Sequence, residues 1–524
     1  MKRLMAVGAV AAVGMGILTS PVAVSAAPQA NSPTTTTSSV VWGACPAGYP
    51  ATIQCSTVSV PLDYAHPYGK KINIVISRAK ATGTAAQRQG VLFVNRGGPG
   101  GTGVAYAQSV QNRLPTSLKQ AYDIIGFDPR GVGLSHPIYC VDPATFYQAP
   151  VPDPIPTSRR DIAINTGRSA QYAAGCLSKN GSDVQFYNTP NTARDMDVIR
   201  AALGEQKINY LGYSYGTYLG SVYATLFPTH ARRFILDSNV DPTGVWYDDN
   251  LGQNVAFDKS FHEFLRWIAS NDAVFHLGTT EAKVSKAWYG MRAALKKNPA
   301  GGVVGAAEFD NAGSGDMYSD STWPALAQAV SDYVNKHDDA GILAQYGPTD
   351  LAGENGNTIY TVVSCNDQVW PHNLQKWYGD AAKQYQKYPF LVYGNLWFNM
   401  PCAFWPYGAR QATRVGSTNV PNILLFNATG DPATPYDGAL NMHKALRGSK
   451  LVTVTGQFNH GQYLYQSKNT CTLGYGNDYL LTGKLPKTDV TCVGDPHPTP
   501  TAAAAKSQAK AAPGLSNDLP GRAF

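Results

Sequence analysis

The chain has 524 residues, 44% of them hydrophobic and only 15% charged, with 51 Gly, 35 Pro and 30 Tyr. That length holds one large domain with an insertion, or two or three ordinary ones, and the composition suits a loop-rich secreted enzyme better than a cytosolic helical protein. The +7 formal charge does not mark a nucleic-acid binder: residues 1–27 and 496–524 each carry +2, and the rest has no basic stripe with interleaved aromatics.

Lys2 and Arg3, the apolar run Leu4 to Leu18 and the small residues Ser25-Ala26-Ala27 read as a secretory signal over residues 1–27. The apolar run is too short for a membrane anchor, and no later stretch is long and apolar enough to span a bilayer. The expectation is a secreted, extracellular monomer with no membrane partner. Residues 28–40 are low-complexity and read as a flexible linker or propeptide. Eight cysteines fall in sequence-local pairs: Cys45 and Cys55, Cys140 and Cys176, Cys365 and Cys402, Cys471 and Cys492. Of the 105 possible connectivities, neighbour pairing into four disulfides is expected. None has C-x-x-C spacing, and no metal or organic cofactor is implied.

From Val41 the chain alternates strand and helix patterns. Thr52 to Val60 and Lys71 to Lys80 alternate like strands around a turn at Pro61 to Gly69. Val91 to Asn95 and Tyr122 to Phe127 are short continuous apolar runs, the mark of buried parallel strands. Thr192 to Leu203 reads as a helix with Thr192 and Asp195 in capping-box positions. Ile208 to Leu211 and Arg233 to Asp237 are further strands, separated by a helix from Thr217 to Phe227. After Asp241-Pro242 the pattern turns helical and irregular. Strands return at Asn422 to Asn427 and Lys450 to Val454, around a helix from Tyr436 to Leu446. This is an α/β class chain: a mainly parallel sheet with helices on both faces. Its core is expected in two stretches, 41–242 and 416–495, interrupted by a helical cap at 243–415 and followed by a disordered tail at 496–524. Two independent domains are the alternative, but the last two strands alone make a poor core.

Gly212-Tyr213-Ser214-Tyr215-Gly216 lies between a strand and a helix. In that context a Gly-x-Ser-x-Gly turn holds its serine in strained geometry above the sheet, and Ser214 is the expected nucleophile. A hydroxyl needs a base, and the base an orienting acid. Asp431 follows a late strand in G-D-P-A-T-P-Y and is preferred to Asp437, which sits at the start of the next helix. His460, in F-N-H-G, follows the last strand and is preferred to His443 and His497. The N–H of Tyr215 and that of Gly98 (or Gly97), in N-R-G-G-P-G-G-T-G, are the expected oxyanion donors. That loop fits neither a dinucleotide fingerprint nor a Walker A motif.

These motifs, with G-F-D-P-R-G-V-G-L-S and the early C-S-T-V-S-V-P-L-D-Y, resemble the proline-iminopeptidase clan of α/β-hydrolases, and within it the secreted actinobacterial tripeptidyl aminopeptidases, from about Val41 to Cys492. The resemblance implies an α/β-hydrolase fold, the triad Ser214, Asp431 and His460, a helical cap, and release of short peptides from substrates with a free N-terminus. The sequence departs from the family at Arg96, where proline is usual, at Thr102, where serine is usual, and at Asn459, where glycine commonly precedes the histidine. Asp128 and Arg130 are expected to pair across their turn. An aminopeptidase also needs a carboxylate for the substrate's α-ammonium, and Asp367 and then Asp241 are the candidates. A carboxylesterase or lipase with the same triad is the alternative, since fold does not decide substrate; a binding module without catalysis fits the intact site poorly.

Overall fold

The computed structural model describes residues 40–409, 411–417, 419–465 and 469–500. The signal segment, residues 28–39 of the linker, and residues 501–524 of the tail lie outside them. The described residues fall in one compact unit.

Ten strands form one sheet: β1 (Gly43–Ala44), β2 (Gln54–Pro61), β3 (Lys71–Ala79), β4 (Gly90–Asn95), β5 (Tyr122–Phe127), β6 (Ile208–Tyr213), β7 (Ala231–Asp237), β8 (Ile423–Ala428), β9 (Lys450–Thr455) and β10 (Val490–Val493). Their order is β1-β2-β3-β5-β4-β6-β7-β8-β9-β10. The pairs β1–β2, β2–β3 and β3–β5 are antiparallel, and every pair beyond them is parallel. Every residue of β5, β6 and β8 is buried, as expected for strands covered by helices on both faces. This order and the helical insertion between β7 and β8 make it an α/β-hydrolase fold. β1 and β10 are too short and too polar to stand out in the sequence; β10 is tied to the preceding helix by the Cys471–Cys492 disulfide. The other three disulfides, Cys45–Cys55, Cys140–Cys176 and Cys365–Cys402, follow the expected pairing.

The insertion is almost wholly helical, from Tyr247–Ser270 to Val392–Asn399, with one isolated bridge between Ala300 and Val304. It has its own apolar core, in which Phe257, Phe264, Trp288 and Trp323 pack together. No helix among the described residues is long and apolar enough to cross a membrane. Residues 496–500, expected to belong to a disordered tail, instead run along this cap: Trp267 Nε1 donates to Pro498 O (3.0 Å), and the His497 ring lies 4.8 Å from that of Trp323.

Two further expectations are corrected. The helix before β6 spans Thr189–Ala202 and is capped by Asn188, whose side chain accepts the Asn191 N–H. Thr192 and Asp195 therefore lie within the helix, and Asp195 is free to pair elsewhere. Its partner is Arg130, in a two-bond contact of 2.7 and 2.6 Å with both side chains almost fully buried. Arg130 also donates to Pro61, Leu62 and Phe186 carbonyls. Asp128 does not pair with Arg130; its carboxylate accepts the N–H groups of Gly103, Val104 and Leu134. Removing one partner of a buried ion pair strands the other charge. Asp195→Ala should therefore destabilise the fold by about 3–5 kcal/mol, read by chemical unfolding, whereas a loss within about 1 kcal/mol would show the pair to be dispensable.

Candidate active site

Ser214 ends the turn after β6 with φ 56° and ψ −128°, a left-handed conformation that a non-glycine residue adopts only when its surroundings impose it. The crowding is explicit. A Cβ on Gly216 would sit 2.8 Å from Asn95 Oδ1, and one on Gly97 would sit 2.5 Å from Tyr213 O and 2.9 Å from Ser214 Cβ. The glycine-rich loop after β4 thus lies directly on the serine turn. The Gly97 N–H is taken by Asn95 Oδ1 (3.0 Å). The N–H groups of Gly98 and Tyr215 donate to no acceptor among the described residues. The Tyr215 side chain is fixed by Thr189 Oγ1 (2.8 Å) and by the Trp246 ring at 6.0 Å.

Asp431 and His460 meet, both wholly buried. His460 Nδ1 lies 2.9 and 3.0 Å from the two Asp431 oxygens. The carboxylate also accepts from the N–H groups of Ala433 and Thr434 and the Thr434 hydroxyl. His460 Nε2 is buried with no hydrogen-bond partner among the described residues. The rival residues are elsewhere employed. Asp437 is exposed, His443 contacts Ser449 and Asp489, and His497 contacts Asp320 and Glu263.

One strand end links the serine turn to the histidine loop. The Ser214 N–H donates to Asp237 O (3.1 Å). The Asp237 carboxylate accepts from Gln462 N (2.9 Å) and Tyr463 N (2.6 Å), and Ser238 Oγ accepts from Gly461 N (2.7 Å). The sequence marks Asp237 only as the end of a strand. A lone carboxylate at a strand terminus carries no local signal of the loop it will hold.

The two carboxylates expected at the substrate amine are occupied by protein donors. Asp367 accepts from Thr189 N (2.8 Å), Thr189 Oγ1 (2.6 Å) and Trp246 Nε1 (3.3 Å), which ties the cap to the helix behind Tyr215. Asp241 accepts from Thr243 N and Oγ1 and from Asn441 Nδ2. A third acid, Asp249, carries no mark in the sequence. It lies on the first turn of the helix Tyr247–Ser270, between Trp246, which touches Tyr215, and Gln253, which donates to Ala433 O beside Asp431. Asp249 is buried close to Asp241 and has no ion-pair partner among the described residues.

Residues 388–492 match a protein family described as TAP-like protein. The chain is 44% identical over 472 residues to a tripeptidyl aminopeptidase of Streptomyces lividans, covering 88% of this chain and 87% of that one. It is 31% identical over 466 residues to the serine protease Hip1 of Mycobacterium tuberculosis, covering 84% and 87%. A carboxylesterase B of the same organism is 30% identical over 461 residues, covering 84% and 86%.

Burial pushes Asp237 and Asp249 up to about 8 and Asp367 up to about 7, far above the ordinary range of about 4. Between those values the folded chain binds protons that the unfolded chain has released. Their contribution to stability is therefore full below about pH 4 and lost as pH rises through about 7 to 8. Thermal melts should give a lower Tm at about pH 8.5 than at about pH 5.5; a Tm that is flat or rises across that window would contradict this account of the three acids.

Proposed function

The chain belongs to the tripeptidyl aminopeptidase family of serine peptidases, and from that premise we propose that Ser214, His460 and Asp431 release tripeptides from the free N-terminus of peptide substrates. One observation carries the assignment. The His460 imidazole is fixed through Nδ1 by Asp431, while its Nε2 is buried, unpartnered among the described residues and available for a proton.

The chemistry follows from that arrangement. His460 Nε2 takes the Ser214 proton as Oγ attacks the carbonyl carbon of the scissile bond. The tetrahedral oxyanion is held by the N–H groups of Gly98 and Tyr215, which have no acceptor among the described residues and so are open to a substrate oxygen. His460 then protonates the leaving amine, the peptide bond breaks, and an acyl-enzyme remains on Ser214. Water, deprotonated by His460, attacks the ester and frees the peptide acid. Asp431 holds the imidazole in the tautomer with hydrogen on Nδ1 and stabilises its cationic form.

Recognition of a free N-terminus calls for a carboxylate without an internal cation. Asp249 meets that description better than Asp367 or Asp241, whose oxygens are taken by protein donors. Burying a carboxyl group without a counter-ion is costly, and a substrate ammonium would offset that cost by ionising it. The four disulfides suit an oxidising compartment outside the cytoplasm.

The esterase reading uses the same triad, so substrates must decide between them. The enzyme should cleave a free tripeptidyl anilide quickly and its N-acetyl twin poorly, with Ser214→Ala losing about 10⁴-fold or more. Turnover of a short-chain nitrophenyl ester with both anilides untouched would leave the esterase reading standing. Asp249→Asn should raise KM for the free tripeptide about 10- to 100-fold while sparing ester hydrolysis. An equal effect on ester and peptide would remove Asp249 from amine recognition.

A further inference from the structure

The loop that carries His460 has no ladder of its own. It leaves β9 at Gly456 and turns at Gly461, both with positive φ, and its backbone is fixed by groups from elsewhere. The core side grips Gly461, Gln462 and Tyr463 through Ser238 and Asp237. The other grip comes from the cap, at the turn before the helix Trp323–Lys336. Tyr318 O accepts the N–H of His460 itself (2.8 Å), and the Tyr318 ring stands edge-on to the imidazole at 5.4 Å. Asp320 and Asn459 close a reciprocal pair: the Asp320 N–H donates to Asn459 Oδ1 (2.6 Å), and Asn459 Nδ2 donates to Asp320 Oδ1 (3.0 Å). Both side chains are buried. The second Asp320 oxygen meets His497 Nδ1 (2.9 Å), in the segment that runs along the cap after β10.

We infer that Asp320, a cap residue that touches none of the triad side chains, is a positioning residue for His460, acting through Asn459 to aim Nε2 at Ser214. The inference rests on the assignment of His460 as the base. The physical reason is leverage. Asn459 is adjacent to His460 in the chain, so freeing its side chain lets the His460 backbone drift, and displacements of about 1 Å in a catalytic group cost on the order of 10²-fold in rate. A contact that only fastened the cap would affect substrate binding or unfolding, and not the chemical step.

The test compares wild type, Asp320→Ala, Asp320→Asn, Asn459→Ala and the Asp320→Ala/Asn459→Ala double variant of the full chain. Each is assayed on the tripeptidyl anilide and the nitrophenyl ester, with the rate of Ser214 labelling by a fluorophosphonate as a second readout. Asp320→Ala should lower kcat and the labelling rate together by about 10- to 100-fold, with KM within about threefold. Asp320→Asn keeps an oxygen for Asn459 Nδ2 and should recover most of that loss. The double variant should be no worse than Asn459→Ala alone, because Asn459→Ala already removes both bonds through which Asp320 acts. A folded Asp320→Ala enzyme with wild-type kcat, or a rise in KM alone, overturns the inference. Equal losses in Asp320→Ala and Asp320→Asn, or additive losses in the double variant, overturn it as well. If Asp320→Ala does not fold, Asn459→Ala carries the same comparison. Failure of the peptidase reading would appear separately, as wild-type activity on the ester alone, on which the same kcat ratios are still read.

Discussion

The C-terminal end of β7 is the constraint on which the site depends. Within two residues it provides a carbonyl for the Ser214 N–H, a carboxylate for the Gln462 and Tyr463 N–H groups, and a hydroxyl for Gly461. Ser238 adopts a positive φ of 61° to make that last contact, and its own N–H is taken by Phe426 O of β8. The proposed nucleophile, Ser214, comes from one side of β7, and the proposed acid and base, Asp431 and His460, from the other. Their relative placement is therefore not left to two flexible loops meeting by chance. It is set by one rigid strand bonded to both neighbours, which is where precise catalytic geometry is best anchored.

The same economy recurs across the molecule. Few residues are charged, yet several acids are buried, and five of them, Asp128, Asp237, Glu308, Glu354 and Asp367, hold backbone N–H groups rather than cations. Asp128 fixes Gly103 and Val104 at the end of the glycine-rich loop. Glu354 takes the N–H groups of Cys140 and Val141 together with the Tyr147 hydroxyl. Asp367 takes Thr189 at the start of the helix behind the serine turn. A carboxylate accepts several hydrogen bonds at once, and bonds to a charged acceptor are stronger than neutral ones. Loops that no strand or helix can hold are thereby given a fixed backbone. Burial raises the proton affinity of Asp128, Asp237 and Asp367, so a loop held this way is bonded through a group that titrates near neutrality in the extreme cases.

What is legible in the sequence is whatever leaves a local trace. The buried parallel strands are apolar runs, and Tyr122–Phe127 has the same bounds in the sequence pattern and in the fold. Ser214 is marked by its glycines, and Asp431 and His460 by their positions after the last two long strands. Pairings between distant residues leave no such trace. Arg130 reads as the partner of its neighbour Asp128, yet its carboxylate lies on a helix 65 residues on. Asp367 reads as a candidate for the substrate amine, yet the fold turns its carboxylate to Thr189 and Trp246. Asp237 and Asp320 are lone acids, Asp249 follows Asp248 at a helix start, and only the fold reveals what each faces. The segment at 496–500 reads as the start of a polar tail because its partners, Trp267, Asp320 and Trp323, are contributed by the insertion.

The cap touches both halves of the catalytic apparatus, which limits what it can be. Its helix Leu351–Asp367 meets the glycine-rich loop so closely that a Cβ on Gly100 would lie 2.5 Å from Gly356 O. Its turn at Tyr318 to Asp320 holds the histidine loop. A cap that swung away as a rigid lid would release the glycine-rich loop and the His460 loop at once, and would expose buried polar groups on both sides. Substrate must therefore be admitted with these two contacts in place, through motion of other regions of the cap or through a standing opening. An element fixed in this way can couple recognition to rate. Binding energy gained by a peptide against the cap is gained against the structure that holds the glycine-rich loop and the His460 loop, so that remote contacts with the substrate can be realised in the transition state as well as in the bound complex.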